Sequence, residues 1–250
     1  KYLFTFSLRR DGSSRFSESN RWLNSPAAAF AWKFGQDLFK DSKVVSDMKL
    51  RLGWGITGQQ EIPVGDFYLE RYNIGDPNSQ YYFANLPYPV GIPAARNPDL
   101  KWETTTTYNV GLDYGLFNNR INGSLDVFYK QTNDLYFGET PYADGSNFSN
   151  SGPANIGSFS TKGIEFSVNA DVIKRDNLNW NVNFNATKFE RRIDELPAGS
   201  DVFFGQAGGT GGTVQIHREG YTPGSFFVYK QLYSTDGSPI EGAFADLNGD

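Results

Sequence analysis

The feature that most constrains this chain is a strict alternation of apolar and polar side chains. In residues 178–187, four asparagines and Thr187 alternate with a complete apolar set, namely Leu178, Trp180, Val182, Phe184 and Ala186. Successive side chains of a β-strand point to opposite faces, so this period predicts a strand with one apolar and one polar face.

The same period recurs in several other segments of the chain. It is clear in 48–57, 107–116 and 163–172, less clean in 121–130 because Phe128 falls on the polar face, and weaker in 2–9, 28–35 and 225–233. Together these segments predict about eight strands, several of ten residues or more. Strands of soluble proteins usually run about five or six residues, whereas a bilayer requires tilted strands of about 9–11.

The connections between the predicted strands alternate in length. Short links fall at 37–46, around Asn118 and Asn119, and at 174–177, and long ones at 11–27, 58–103, 138–160 and 191–224. Transmembrane barrels place short turns on the periplasmic side and long loops outside the cell. The predicted fold is therefore all-β, an antiparallel meander forming a partial transmembrane β-barrel. A secreted or surface β-sheet glycan-binding protein is the alternative, in which the apolar faces would pack between two sheets.

Composition excludes several classes of function. The chain has no cysteine and one histidine, His217, which leaves no thiolate or histidine-rich metal centre. Its net charge of −5, without a basic run, argues against a nucleic-acid partner. The chain also offers no nucleophile–histidine arrangement and no identifiable pair of glycosidase carboxylates. We therefore expect a protein that is not an enzyme and has no organic cofactor.

Several motifs resemble the SusC-like branch (RagA/SusC family) of the TonB-dependent outer-membrane transporters. The most specific is the NPDLKWETT stretch at 97–105, which leads into YNVGLD at 108–113. The other motifs follow in the order of the family: RDGSSRF at 10–16, LRLGWGITGQ at 50–59, YKQTNDL at 129–135, NIG at 155–157, KGIE at 162–165 and DLNGD at 246–250. Each motif is weak alone, and their common order carries the resemblance.

The resemblance implies a large barrel in the outer membrane of a Gram-negative bacterium. Residues 1–250 would form part of the C-terminal half of a single barrel domain, without the plug domain and the remaining strands. Family members import oligosaccharides or peptides, driven by the TonB complex through the N-terminal region, and a SusD-like lipoprotein closes the extracellular mouth. Outer-membrane lipid would contact the apolar faces of the strands.

Two groups of residues are candidates for binding. In the 58–103 loop we expect ligand or lid contacts from Tyr68, Tyr72, Tyr81 and Tyr82, because exposed rings stack on sugars and anchor interfaces. The same rings would otherwise pack the loop or form the interfacial girdle of the barrel. Charged residues on the polar faces would line a substrate path, pair across strands or contact the plug: Lys49, Arg51, Asp113, Asp126, Lys130, Glu165 and Asp171.

A candidate metal site lies at the end of the sequence. Asp246, Asn248 and Asp250 have the D-x-N-x-D spacing of the first ligands in a calcium-binding loop. The same spacing also occurs in turns rich in Asp and Asn. The sequence predicts either a Ca²⁺ site or such a turn.

Overall fold

The structure is a computed structural model that describes residues 1–62, 67–74, 80–89, 91–141, 151–197, 201–206 and 212–245. In chain order the elements are β1 (Tyr2–Gly12), β2 (Trp22–Lys33), α1 (Gly35–Leu38), β3 (Val45–Gln59), β4 (Tyr72–Ile74), β5 (Gln80–Phe83), β6 (Leu86–Pro89), β7 (Gly91–Pro93), β8 (Glu103–Leu116), β9 (Ile121–Asn133), β10 (Tyr136–Pro141), β11 (Ser151–Asn155), β12 (Ser158–Arg175), β13 (Leu178–Glu195), β14 (Val202–Gln206), β15 (Thr213–His217), β16 (Ser225–Phe226), β17 (Gln231–Tyr233) and β18 (Pro239–Phe244). No helix in the described ranges is long and apolar enough to cross a membrane.

Seven long strands form one antiparallel sheet in the order β1-β2-β3-β8-β9-β12-β13. Each long strand pairs with the next one along the chain, so the predicted antiparallel meander is confirmed. The short connections 34–44, 117–120 and 176–177 lie at one end, which we call the turn end. Asn118 and Asn119 adopt positive φ angles of 56° and 60° there, a conformation that asparagine tolerates well. The long connections lie at the opposite end, the loop end.

Two predicted segments differ markedly from the structure. The segment 225–233 is not one strand, because β16 pairs with β15 and β17 pairs with β18, both outside the seven-stranded sheet. The predicted 11–27 loop shrinks to 13–21, since β2 already begins at Trp22. Pro26 interrupts the strand pattern in the sequence, but β2 pairs with β3 only from Ala27 onward. At Pro26 the strand therefore has one neighbour, where a missing amide donor is tolerated.

Most apolar side chains of the long strands share one face of the sheet, which we call the belt face. One register row of this face, running from β1 to β12, comprises Phe4, Phe30, Leu52, Val110, Val127 and Ile164. From Met48 to Ile56, β3 rises about 27 Å, or about 21 Å along the barrel axis at the usual tilt. That height is close to the roughly 25 Å apolar band of an outer-membrane barrel.

Aromatic side chains border the belt. Trp54, Tyr108 and Tyr129 lie in one row towards the loop end. On β12 and β13 the same row continues with the ion pair of Lys162 and Glu190. Tyr2, Trp32, Tyr114 and Trp180 lie towards the turn end. Trp and Tyr rings are typical of the two membrane–water interfaces.

The belt does not form a dry core between two sheets. Phe4 and Phe6 are 79% and 72% exposed, and Trp180 and Phe184 are 56% and 54% exposed. Within the described ranges, the buried apolar residues lie instead in the loops or near the loop end of a strand: Phe16, Ile62, Leu100, Trp102, Ala154, Ile193, Leu196 and Ile216. The arrangement fits a lipid-facing barrel wall and not the alternative β-sheet protein with a sandwiched core.

Candidate functional site

The polar face of the sheet, here called the inner face, carries a chain of ion pairs across three strands. Lys49 Nζ lies 2.9 Å from Asp113 Oδ2, and the Arg51 guanidinium lies 2.8 Å from Asp113. Arg51 Nη2 also lies 2.9 Å from Asp126 Oδ2. Gly111 sits between Arg51 and Asp126 in the register, and a side chain there would collide with both groups. These four charges therefore pair with one another across the wall.

The other predicted inner-face charges have different surroundings. Asp171 accepts a hydrogen bond from Asn181 Nδ2 at 2.9 Å. Glu165 lies beside Asp126 in the register and is exposed. Lys130 Nζ lies 5.1 Å from the centre of the Phe128 ring and forms no ion pair with a described carboxylate. Phe128, which broke the alternation in the sequence, is thus a cation–π partner.

At the loop end, a small apolar core joins two loops. Phe16, from the 13–21 connection, packs with Ile62, Leu100 and Trp102, from the 60–102 connection. The centres of the Phe16 and Trp102 rings are 5.5 Å apart, and Trp102 Nε1 donates to the Arg21 carbonyl at 3.2 Å. We call this group the loop core.

Polar contacts from the same motif tie in a third loop, 134–157. The Asn155 side chain accepts a hydrogen bond from Lys101 N at 2.8 Å and donates one to Lys101 O at 2.9 Å. Asn97 Nδ2 donates to Pro153 O at 2.8 Å, and Glu103 Oε1 accepts from Tyr136 N at 2.7 Å. The NPDLKWE motif therefore locks three connections together, and its role is structural.

A two-stranded arm projects from the 60–102 connection. It consists of β5 and β6, which pair around a turn at Ala84 and Asn85 with φ angles of 49° and 64°. At the base of the connection, Ala94 N donates to Arg71 O at 2.8 Å, and β4 pairs with β7. We call β5, β6 and their turn the aromatic hairpin.

Apart from Gln80, the strand side chains of the aromatic hairpin are apolar or aromatic, and they are exposed on both faces. Four side chains share one face by their register: Tyr81, Phe83, Leu86 and Tyr88. The opposite face carries Tyr82 and Pro87. Phe83 is 69% and Tyr82 72% exposed. A contiguous apolar patch on a water-exposed surface is typical of an interaction site.

The four predicted tyrosines differ in their surroundings. Tyr68 is half-buried, and its carbonyl accepts a hydrogen bond from Arg96 Nε at 3.2 Å. Tyr72 is exposed on β4. Tyr81 stacks on Tyr88 with ring centres 5.5 Å apart, and Tyr82 points to the opposite face. The sequence prediction counted Phe83 among the rings of this loop without selecting it as a contact, and it missed Leu86. The period-two pattern on either side of Ala84–Asn85 would have identified both.

The C-terminal hairpins surround His217. Its ring stacks on Phe204 with centres 4.2 Å apart, and its Nδ1 accepts a hydrogen bond from Gly224 N at 3.2 Å. Burial lowers the pKa of His217. The hydrogen bond from Arg218 lowers the pKa of Asp201. These contacts hold the strands of a small sheet together and do not form a catalytic triad.

The predicted Ca²⁺ ligands Asp246, Asn248 and Asp250 lie outside the described residues, and the site stays a prediction. In the ranges that the structure describes, no group of three or more His, Asp or Glu side chains is arranged to hold a metal ion.

Known proteins resemble the chain along its whole length. Residues 1–224 match the family described as TonB dependent receptor-like, beta-barrel. The TonB-dependent receptor SusC of Bacteroides thetaiotaomicron is 44% identical over 256 residues, covering 100% of this chain and 25% of that protein. A TonB-dependent receptor of Formosa agariphila is 35% identical over 257 residues, again covering 100% of this chain and 25% of its own length. The chain thus spans about a quarter of the length of these relatives.

Solved structures share the fold. A chain of the RagAB peptide importer in its "open-open" state matches with a TM-score of 0.77 at 23% identity, covering 98% of this chain and 27% of that one. The "closed-closed" state gives a TM-score of 0.75 at 24% identity, covering 96% and 27%. The sequence match, the meander and its belt agree with one another, and the chain belongs to the TonB-dependent receptor family, whose β-barrels lie in the outer membrane of Gram-negative bacteria.

Proposed function

We propose that the protein containing this chain imports a nutrient across the outer membrane by binding and gated passage, without covalent chemistry. The observation that carries the proposal is the two-faced sheet. Its belt face presents exposed apolar rings to lipid, and its inner face presents paired charges to a wet interior. The 44% identity to SusC along the whole chain supports the same function. The solute would be an oligosaccharide or an oligopeptide.

The aromatic hairpin would be a contact for a SusD-like lipoprotein that covers the extracellular mouth. A two-stranded hairpin has no interior of its own, so apolar side chains on both faces need a partner surface on at least one side. Tyr81 and Tyr88 are already stacked, which reduces the entropy lost when a partner orders them. Phe83 and Leu86, directly paired near the tip, would be the anchors.

The energy for passage would come from the TonB complex, through a plug domain N-terminal to the barrel. Uptake of a radiolabelled oligosaccharide or peptide that supports growth tests this mechanism. We expect uptake to disappear when the gene is deleted and when TonB is removed. Uptake that depends on the gene but persists without TonB would contradict energised import.

The lid contact has a separate test. We expect Phe83→Ala combined with Leu86→Ala to weaken binding of the lipoprotein to the purified receptor at least tenfold, since hot-spot side chains typically contribute about 2 kcal/mol or more. Tyr233→Ala is the matched control, because this ring is 64% exposed but belongs to a different hairpin. If the unmodified receptor, the double variant and Tyr233→Ala bind the lipoprotein with equal affinity, the hairpin is not an anchor.

A further inference from the structure

A small cavity opens at the loop end of the sheet, between the inner face and the loops above it. Its volume is about 190 Å³. The sheet contributes Phe159, Arg191 and Ile193, and the loops contribute chiefly Phe137, Leu196 and His217. We call it the mouth cavity. Apolar walls with a few convergent polar groups are typical of small-molecule sites.

Arg191 is the cation of the mouth cavity. Its Nε donates to Thr161 Oγ1 at 3.3 Å, and its guanidinium lies 4.8 Å from the centre of the Phe159 ring. Its two terminal nitrogens donate to no described residue, and it forms no ion pair with a described carboxylate. The guanidinium is thus fixed on two sides and keeps its forked pair of donors available.

A second cation lies beside Arg191 on the inner face. Lys130 and Arg191 flank Thr161 in the register, one on each neighbouring strand. Lys130 is also without an acidic partner in the described ranges, whereas Arg51, further down the same face, is paired twice. Two adjacent inner-face cations without a paired carboxylate in the described ranges therefore lie next to the cavity.

Nearby carboxylates are already engaged elsewhere. Glu219 accepts a hydrogen bond from Leu196 N at 2.8 Å. Asp194 accepts hydrogen bonds from Ser160 Oγ at 3.0 Å and Gln131 Nε2 at 3.1 Å. Both carboxylates line a separate pocket with Arg192, and neither lies within ion-pair distance of Arg191. An anionic ligand in the mouth cavity would therefore be the direct counterion of Arg191.

We propose that the mouth cavity binds a carboxylate group of the imported solute, with Arg191 as the receiving cation and the apolar walls covering the ring or side chain attached to it. This inference rests on the proposed import function and specifies the class of solute as acidic. A sugar acid and a peptide C-terminus both offer this chemistry. An acidic side chain of the plug domain would offer it too, and the experiment separates these sources.

The test is a ligand-observed NMR titration of the intact receptor in detergent. The probes are glucuronic acid and N-acetylphenylalanine, each compared with its uncharged amide. We expect Arg191→Gln to weaken binding of the preferred acid at least tenfold, equivalent to about 1.4 kcal/mol, with little effect on the amide. The acid that binds more tightly identifies the solute as a sugar acid or a peptide.

Arg192→Gln is the matched control, because it removes the same charge from the next residue on the opposite face of β13. Arg191→Lys keeps the charge but loses the forked pair of donors, so it should bind the acid with an affinity between those of the unmodified receptor and Arg191→Gln. Heat-modifiable gel mobility checks that each barrel is folded. Equal binding by the Arg191→Gln and Arg192→Gln variants, or equal binding of acids and amides, would overturn the proposal.

The Arg191→Gln variant could also bind the probes unchanged while its plug domain is cleaved faster by protease. That result would overturn the proposal, because it would identify a side chain of the plug as the partner of Arg191. Binding is measured at equilibrium and needs neither TonB nor the lipoprotein. A failure here therefore leaves the import proposal standing, while a failed uptake experiment leaves the binding result intact.

Discussion

Removal of the Phe16 ring should release the extracellular loops while leaving the barrel wall assembled. Phe16 is completely buried and packs on Trp102, with Leu100 and Ile62 completing the loop core. An aromatic side chain of this kind buries on the order of 150–250 Å², and Phe→Ala changes at fully buried sites cost about 3–5 kcal/mol. The cost falls on two loops, because no belt residue belongs to this core.

A loss of about 3–5 kcal/mol is large compared with the free energy that holds a surface loop in place. In Phe16→Ala we therefore expect faster amide exchange in 13–21 and 60–102, together with new protease cleavage there. Exchange in the seven long strands should not change. Amide exchange followed by mass spectrometry on the receptor in detergent measures both regions at once.

Phe83→Ala serves as the control for ring removal, since Phe83 lies in the same connection but is 69% exposed. It should leave exchange in 13–21 unchanged. If Phe16→Ala and Phe83→Ala give the same exchange pattern, the loop core does not hold the two connections together, and the structural role assigned to the NPDLKWE motif fails.

Two further predictions concern the wall and the C-terminal hairpins. Val110→Arg places a charge on the belt face and should destabilise the barrel by about 2–4 kcal/mol, measured by urea unfolding from lipid vesicles, whereas Asn109→Arg, on the inner face, should cost far less; equal losses would mean that the two faces are wrongly assigned. Burial lowers the pKa of His217, so its contribution to stability is complete above about pH 6.5 and is lost as the pH falls towards the lowered value. The N–H of Gly224 donates to His217 Nδ1, so its protection against amide exchange, relative to an unprotected amide at the same pH, should fall over that range. Protection that does not change with pH would contradict the assignment.

The long strands of the sheet could be predicted from the sequence because each one has a lipid-facing and a water-facing side. The strand β13 continues beyond the alternation at 178–187 and ends at Glu195. Beyond Ala186 its outward residues become charged, so the apolar alternation reveals the membrane-embedded part of the strand and not its whole length. The start of β2 could not be predicted, because a proline such as Pro26 normally argues against a strand. The sequence does not reveal that β3 pairs with β2 only from Ala27 onward and leaves Pro26 unpaired on that side.

The loops were less predictable because their order depends on contacts between distant segments. Phe16 and Trp102 lie far apart in the sequence and carry no periodic signal that links them. The same applies to Arg191 and His217, which line one cavity from β13 and β15. The predicted tyrosines were found by residue type alone, whereas their division between the base and the two faces of the hairpin depends on the strand pairing within the loop.

The loop core also bears on the order in which the wall assembles. Pairing β3 with β8 must close the whole 60–102 connection, which by the logarithmic dependence on length costs about 2 kcal/mol more than closing the 117–120 turn. We expect the tightly connected hairpins to form early and the β3–β8 seam to form late. Trp102 lies beside Glu103, where this seam begins, so burial of its ring would stabilise the β3–β8 pairing once it has formed.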